Sequence, residues 1–139
     1  MTATPRRIAP NVQALHDRDA VAQQLGIQLV AAKDGYAALH LQVTPLMANG
    51  HGICHGGVIF LLADTAFAYA ASADESSAGS VTASANVTFC EAARVGDILK
   101  VACHRRHAAG RTSFYLSEVT TDAGRTVALV DARMARRRD

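Results

Sequence analysis

The sequence predicts an α+β fold, with a long central apolar helix wrapped by a curved antiparallel sheet of five or six strands. Three observations carry this reading. The segment from Val58 to about Ala73 is apolar almost all the way round, broken by Asp64, Thr65 and Ser72, so as a helix it has to be enclosed by other structure. Two short segments with strand alternation precede it and four follow it, punctuated by glycine-bearing turns. Sequential strands at hairpin spacing pair antiparallel, and one helix against such a sheet is an α+β arrangement. At 139 residues the chain suffices for one core and is too short for two, so residues 1–139 read as a single domain.

The elements follow in order. Residues 1–10 read as a loose start; Arg6 and Arg7 have no apolar block after them, which argues against a secretory signal. Asn11 to Leu25 has helical spacing in Val12, Leu15, Val21, Ala22 and Leu25, with Gly26 as a stop and Asp17 or Asp19 as a cap for a shorter helix within it. Ile27, Leu29 and Ala31 then alternate, and Asp34-Gly35 is a hairpin turn leading to a strand over residues 36–44, with Leu39, Leu41 and Val43 on one face. Pro45 ends that strand. Residues 46–57 read as a loop, 58–73 as the helix and 74–79 as a polar loop. Four strands follow over 80–90, 97–106, 111–121 and 125–135. Their apolar positions are Val81, Val87 and Phe89; Ile98 and Val101; Phe114, Leu116 and Val119; and Val127, Leu129 and Val130. Residues 136–139 form a basic tail.

Composition narrows the function classes. Half of the chain is apolar and 19% is charged, as in an ordinary globular protein. The formal net charge of +2 is too weak to imply a nucleic-acid partner, and the arginines at 133, 136, 137 and 138 read as a solvated end. No stretch reaches the roughly 18 to 20 apolar residues of a membrane span. Three cysteines, Cys54, Cys90 and Cys103, are an odd number without C-x-x-C spacing. That pattern opposes a disulfide framework and a zinc ribbon and makes a reducing cytoplasmic setting the expectation.

The chemistry concentrates between Asn49 and Thr65. Asp64 lies two turns inside the apolar helix, beyond the reach of a cap or of the helix dipole, where a carboxylate has to be paired or open to water. Gly56 and Gly57 open the helix; their N–H groups have no partner within it and can donate to a developing oxyanion, and the missing Cβ lets a ligand approach the backbone. The same feature suits phosphate, but the G-x-x-x-x-G-K-[ST] pattern is absent. His51 and His55 are four apart in a glycine-rich loop rather than on a helix, so they read as structural or substrate-orienting groups and no metal is expected. His16, His40, His104 and His107 read as incidental polar residues. Asn49 can donate to a carbonyl oxygen or serve as a plain turn residue, since Asn-Gly is a common turn pair. No G-x-S-x-G elbow occurs, and a Cys54 nucleophile does not follow from its histidine neighbours in sequence alone.

The residues from Asn49 through His55-Gly56-Gly57, followed by Leu62-Ala63-Asp64-Thr65-Ala66-Phe67-Ala68, resemble the signature of the PaaI-type acyl-CoA thioesterases of phenylacetate degradation, within the hotdog-fold superfamily. Ala22 to Gly26, the run Asn86-Val87-Thr88-Phe89 and Gly96-Asp97 extend the resemblance over nearly the whole chain. It implies hydrolysis of an aryl-acetyl-CoA, such as phenylacetyl- or hydroxyphenylacetyl-CoA, or of a medium acyl-CoA, with no cofactor beyond the coenzyme A of the substrate. It also implies a homodimer that forms the active site between subunits and pairs into a homotetramer. Carried onto this chain, the resemblance makes Asp64 the nucleophile or general base, the Gly56 N–H the oxyanion donor and Asn49 the group orienting the carbonyl or the water. Thr82 would steady the water or carboxylate. His55 and Gly57 would support the turn, and His51 would line the pocket. The CoA phosphates need cations, and Arg105, Arg106, Arg111 and the tail arginines are the candidates. A thioester is activated enough for one carboxylate and one oxyanion donor to suffice.

Two other readings fit the same fold: a hydratase or dehydratase of acyl thioesters, and a non-catalytic module that binds acyl-CoA. The first is expected to pair Asp with His in a differently spaced motif, and an intact Asp64 argues against the second.

Overall fold

The computed structural model describes residues 7–137. Its opening elements are decided by Asp19 and Gly26. The expected single helix divides into α1 (Pro10–Asp17) and α2 (Ala20–Leu25), because the Asp19 side chain caps the second helix by accepting from the Ala22 N–H at 3.1 Å. Asp17 caps nothing; it accepts from Gln13 one turn earlier. Gly26 ends α2 in the left-handed region at φ 78°, a conformation that costs a residue with a Cβ about 1 kcal/mol or more. Of the expected loose start, residues 1–6 lie outside the described residues, while Ile8 bridges Ala32 and the Ala9 N–H donates to the Ala32 carbonyl. Of the basic tail, Arg136 closes the last strand, and residues 138–139 lie outside the described residues.

Six strands form one antiparallel sheet: β1 (Gln28–Lys33), β2 (Tyr36–Gln42), β3 (Ser80–Phe89), β4 (Ile98–Ala109), β5 (Thr112–Thr121) and β6 (Thr126–Arg136), in the spatial order β1-β2-β4-β5-β6-β3. The long helix α3 (Gly56–Ser72) lies across the concave face. Leu62, Ala63, Ala66, Phe67 and Ala70 of α3 bury completely against Leu39, Leu41, Leu99, Val101, Val119 and Val130 of the sheet. This is the hotdog arrangement that the resemblance implies.

Three details differ from the sequence expectation. The strands after the helix do not form a four-strand meander: β4, β5 and β6 do, while β3 pairs with β6 at the sheet edge. Residues 90–97 make this crossing, tied under the start of α3 by the Cys54 N–H to Ala93 carbonyl bond at 2.8 Å and by the Ile53–Arg94 bridge. In β1 an irregularity between Leu29 and Ala31 shifts the alternation, so Ala32 rather than Ala31 reaches the core. In β5 the inward side chains are Ser113, Tyr115, Ser117 and Val119, and Phe114 and Leu116 face outward with Leu129 of β6. Against a helix whose buried face is rich in alanine, small inward side chains allow close approach.

Candidate active site

The first turn of α3 is built by His55 and two glycines. His55 is the N-cap: its Nδ1 accepts the Gly57 N–H at 3.0 Å, and its carbonyl accepts from Val58 and Ile59. A Cβ at Gly57 would lie 3.1 Å from that same Nδ1, so glycine lets the imidazole close on the turn. The Gly57 N–H is therefore spent on the cap, and the Gly56 N–H, the first of the helix, meets no acceptor among the described residues. Gly56 also permits a close approach by Phe89, whose ring Cζ would sit 3.1 Å from a Cβ added there.

Asn49 holds the loop ahead of the turn. Its Oδ1 accepts from the His51 N–H at 2.9 Å and the Ile53 N–H at 3.3 Å, leaving the amide NH₂ as its remaining donor. Asn49 and Gly56 share the wall of an open cleft of about 280 Å³ with Ile59, Phe89 and Cys90. The cleft is mostly apolar, and Phe89 is 51% exposed at its edge. His51 stands exposed at the loop tip and engages through its backbone; it is not part of the cleft wall. Burial pushes the thiol of Cys54 above the ordinary cysteine range, so it stays protonated near neutrality and is a poor nucleophile.

Asp64 sits eight residues further along α3, half-buried, where the helix passes beneath β3. Thr82 donates its hydroxyl to Asp64 Oδ1 at 2.6 Å, the short distance of a charge-assisted bond. Met134 Sδ lies 3.2 Å from the same hydroxyl. The register of β3 on β6 shifts between Thr82 and Ser84, an irregularity of the kind that re-aims a side chain. Asp64 Oδ2 accepts from no group among the described residues, and no imidazole bonds to either oxygen.

These groups do not all converge within one chain. At a rise of 1.5 Å per residue, Gly56 and Asp64 are about 12 Å apart along α3, too far to act on one carbonyl. Arg111 is apart from both: it lies in the β4–β5 turn and bonds the carbonyls of Arg136 and Arg137. Arg105 is ion-paired with Asp74, and Arg106 lies on the outer face of the sheet with Arg133 and Asp131. No group of three or more His, Cys, Asp or Glu suited to a metal occurs among the described residues. No helix among them is long and apolar enough to cross a membrane.

Sequence reasoning passes over three residues that the geometry brings out. Phe89 closes on Gly56, Met134 lies under Thr82, and His16, expected to be incidental, is buried with its Nδ1 2.9 Å from the Tyr69 hydroxyl. Only for Phe89 does the sequence carry a signal, as an aromatic ending a strand that returns to the glycine turn.

The sequence profile of the thioesterase superfamily matches residues 51–128. The acyl-coenzyme A thioesterase PaaI of Escherichia coli K12 is 38% identical over 119 residues, covering 86% of this chain and 84% of its own length. The solved structure of the E. coli PaaI protein from the phenylacetic acid degradation operon superposes with a TM-score of 0.85 at 36% identity, covering 92% of this chain and 91% of that one. A variant of the phenylacetic acid degradation protein PaaI from Thermus thermophilus gives a TM-score of 0.80 at 26% identity, over 86% of this chain and all of that one.

Proposed function

The chain belongs to the thioesterase superfamily and is a thioester hydrolase, and from that premise we propose that it hydrolyses acyl-CoA, with an aryl-acetyl or medium acyl group as the substrate, to the free acid and CoA. One observation carries the reading: Thr82 fixes one oxygen of Asp64 at 2.6 Å and leaves the other open at the sheet edge. A carboxylate held by one hydroxyl and free on its second oxygen has its orientation set and a lone pair available.

The thioester carbonyl is bound with its oxygen at the Gly56 N–H, where the helix start adds a partial positive charge, and with the Asn49 amide beside it. Asp64 then acts on the carbonyl carbon as nucleophile, or takes a proton from the water that attacks it. As nucleophile, Asp64 displaces the thiolate and holds the acyl group as a mixed anhydride, which water then cleaves to give the free acid and restore the carboxylate. As base, it takes a proton from water while that water adds to the carbonyl carbon and the C–S bond breaks. In both routes the departing thiolate is protonated. His55 and Gly57 keep the turn in shape, and His51 borders the approach. Arg111 supplies cationic charge for the CoA phosphates. Water and these side chains suffice, so no cofactor or metal is required.

Because Gly56 and Asp64 of one chain are about 12 Å apart, the complete site takes Gly56 and Asn49 from one copy and Asp64 from a second. β3 is suited to that contact. It is a long edge strand, bonded on one side only, with Val81 and Phe89 exposed along it. A homodimer formed there, and a homotetramer of such dimers, is the assembly we propose. Thiols left unpaired at all three cysteines suit a cytoplasmic setting.

The hydratase reading has less support, since among the described residues Asp64 bonds to a hydroxyl and to no histidine. The aryl preference is supported by the apolar cleft with Phe89 at its edge. The test is thiol release from phenylacetyl-, hydroxyphenylacetyl-, benzoyl-, short-chain and medium-chain acyl-CoA. Fastest release from an aryl-acetyl-CoA is expected. A folded protein that binds CoA and releases thiol from none of them would support the non-catalytic alternative.

A further inference from the structure

Part of the cleft wall comes from a segment with no helix or strand of its own. Residues 90–97 lead from β3 to β4, and Cys90, Glu91, Ala92 and Ala93 share the wall with Phe89, Asn49 and Gly56. The segment is tied to its surroundings at separate points. The Cys90 N–H donates to the Val127 carbonyl, the Ala93 carbonyl accepts the Cys54 N–H, and the Gly96 N–H donates to the Val43 carbonyl, each at 2.8 Å. Ala93 is fully buried, and Cys54, which it holds, directly precedes the His55 cap and the Gly56 N–H.

Arg125 links these points from the β5–β6 turn. Its backbone is fixed there, since its carbonyl accepts the Thr121 N–H at 2.9 Å and its N–H donates to Thr121 Oγ1 at 3.2 Å. Its guanidinium donates from Nη1 to the Ala92 carbonyl and from Nη2 to Asp97 Oδ2, both at 3.2 Å. Glu91 lies 3.9 Å from Nη1. Asp97 Oδ2 also accepts the Arg94 N–H at 2.9 Å, so one oxygen serves both the local turn and the arginine. The fork thus grips the segment on both sides of Ala93.

Arg125 is not part of the cleft wall. Its side chain is 39% exposed, and an ion pair that open to water contributes little to global stability. A planar fork that donates to a carbonyl and a carboxylate at once still fixes their relative position. Here it fixes the cleft wall against the first turn of α3.

We propose that Arg125 is a positioning residue that sets the spacing between the 90–97 wall and the glycine turn, and through it the selection of the acyl group. The proposal rests on the acyl-CoA reading and adds to it a specificity determinant outside the cleft. Lysine replaces it only in part, because an ammonium lacks the two-pronged geometry.

The test compares full-length wild type with Arg125→Gln and Arg125→Lys. Binding is read by titration calorimetry with CoA and with its phenylethyl thioether, which carries an aryl group and no carbonyl to hydrolyse. Arg125→Gln is expected to weaken the thioether about fivefold or more and to leave CoA unchanged. KM for phenylacetyl-CoA should rise by a similar factor with kcat within about twofold, and Arg125→Lys should fall between. Hydrogen exchange of the Cys54 N–H should quicken, because its Ala93 acceptor is less firmly held. Unchanged thioether affinity and KM, or unchanged Cys54 exchange, would overturn the positioning role. Equal weakening of CoA and thioether would overturn the selection of the acyl group. If Arg125→Gln lowers the melting temperature and quickens exchange throughout α3, the ratio of the two affinities in Arg125→Lys decides instead. Wild type that binds neither ligand would overturn the proposal together with the acyl-CoA reading. Binding without thiol release would count against hydrolysis alone and leave the affinity ratio to decide the role of Arg125.

Discussion

Asp19 and Asp64 each accept a hydrogen bond from a hydroxyl on a distant element, yet the two regions around them are arranged for opposite ends. Asp19 has both oxygens occupied, Oδ1 by the Ala22 N–H and Oδ2 by the Tyr69 hydroxyl at 2.9 Å. The Tyr69 oxygen also meets His16 Nδ1, so three side chains tie α1, α2 and α3 together. Asp64 has one oxygen occupied and one open. A fully bonded carboxylate contributes to stability, whereas a carboxylate with one bond is positioned and still able to react. The comparison separates structure from chemistry more sharply than residue type or burial does.

The largest expected effect is on the open carboxylate. Asp64→Asn preserves shape and the Thr82 contact, and it should lower thiol release on the order of 10³-fold while the melting temperature moves little. Near-normal hydrolysis by this variant would remove Asp64 from the chemistry. The mirror-image change is Tyr69→Phe, which leaves the Asp19 oxygen and the His16 nitrogen without their buried partner. It should cost about 1–3 kcal/mol in unfolding free energy, read from denaturant titration, with kcat unchanged. Burial first, and the bond to Asp19 second, push the Tyr69 phenol well above the usual tyrosine range. Its raised value in the folded chain means that its contribution is complete below the unfolded value of about 10 and declines as pH rises beyond it. That alkaline loss should vanish in Tyr69→Phe.

Smaller effects refine the catalytic side of the contrast. Thr82→Val removes the bond that orients Asp64 and should lower kcat about tenfold with little change in KM. An unchanged kcat would show that Met134 and the helix suffice to hold the carboxylate. Asn49→Ala should reduce kcat by only a few-fold, because the proposed oxyanion donor, the Gly56 N–H, remains. A rate equal to wild type would assign Asn49 to the loop alone, through its bonds to His51 and Ile53.

How much of this is legible beforehand differs between the same regions. The enclosed helix, the six strands and the Asp34-Gly35 turn can be read because their signals are local: periodicity, composition and a turn dipeptide. The turn is confirmed by left-handed backbone at both residues, φ 50° and 79°. The place of β3 cannot be read, because its transfer to the sheet edge depends on residues 90–97 crossing under α3, a contact between distant segments. The outward turn of Phe114 and Leu116 is hidden for a related reason: apolar residues on the outer face look the same in sequence as core residues. In the candidate site, Asp64 and the glycine turn stand out because a carboxylate inside an apolar helix and adjacent glycines before it are locally anomalous. The division of labour between Gly56 and Gly57 is not visible, since it follows from the His55 ring folding back onto one N–H and not the other. Nor can the sequence show that Arg105 is ion-paired, because its Asp74 partner is 31 positions away in the chain.

The proposed assembly rests most on the separation of Gly56 from Asp64 along α3, which under the proposed chemistry takes two copies for one site. Gly56→Pro removes the N–H at the first helical position, where proline is tolerated and the preceding His55, at ψ 132°, already has the extended backbone that proline favours. Its Cβ requires Phe89 to yield by a few tenths of an ångström, so folding is checked on that variant alone. The decisive measurement is the thiol-release rate of protein from equal co-expression of Asp64→Asn and Gly56→Pro, each nearly inactive by itself. Mixed dimers contain one site with both groups intact, so random pairing should restore about a quarter of the wild-type rate. A rate no greater than that of the two parents, from protein shown to contain mixed dimers, would contradict a site shared between subunits.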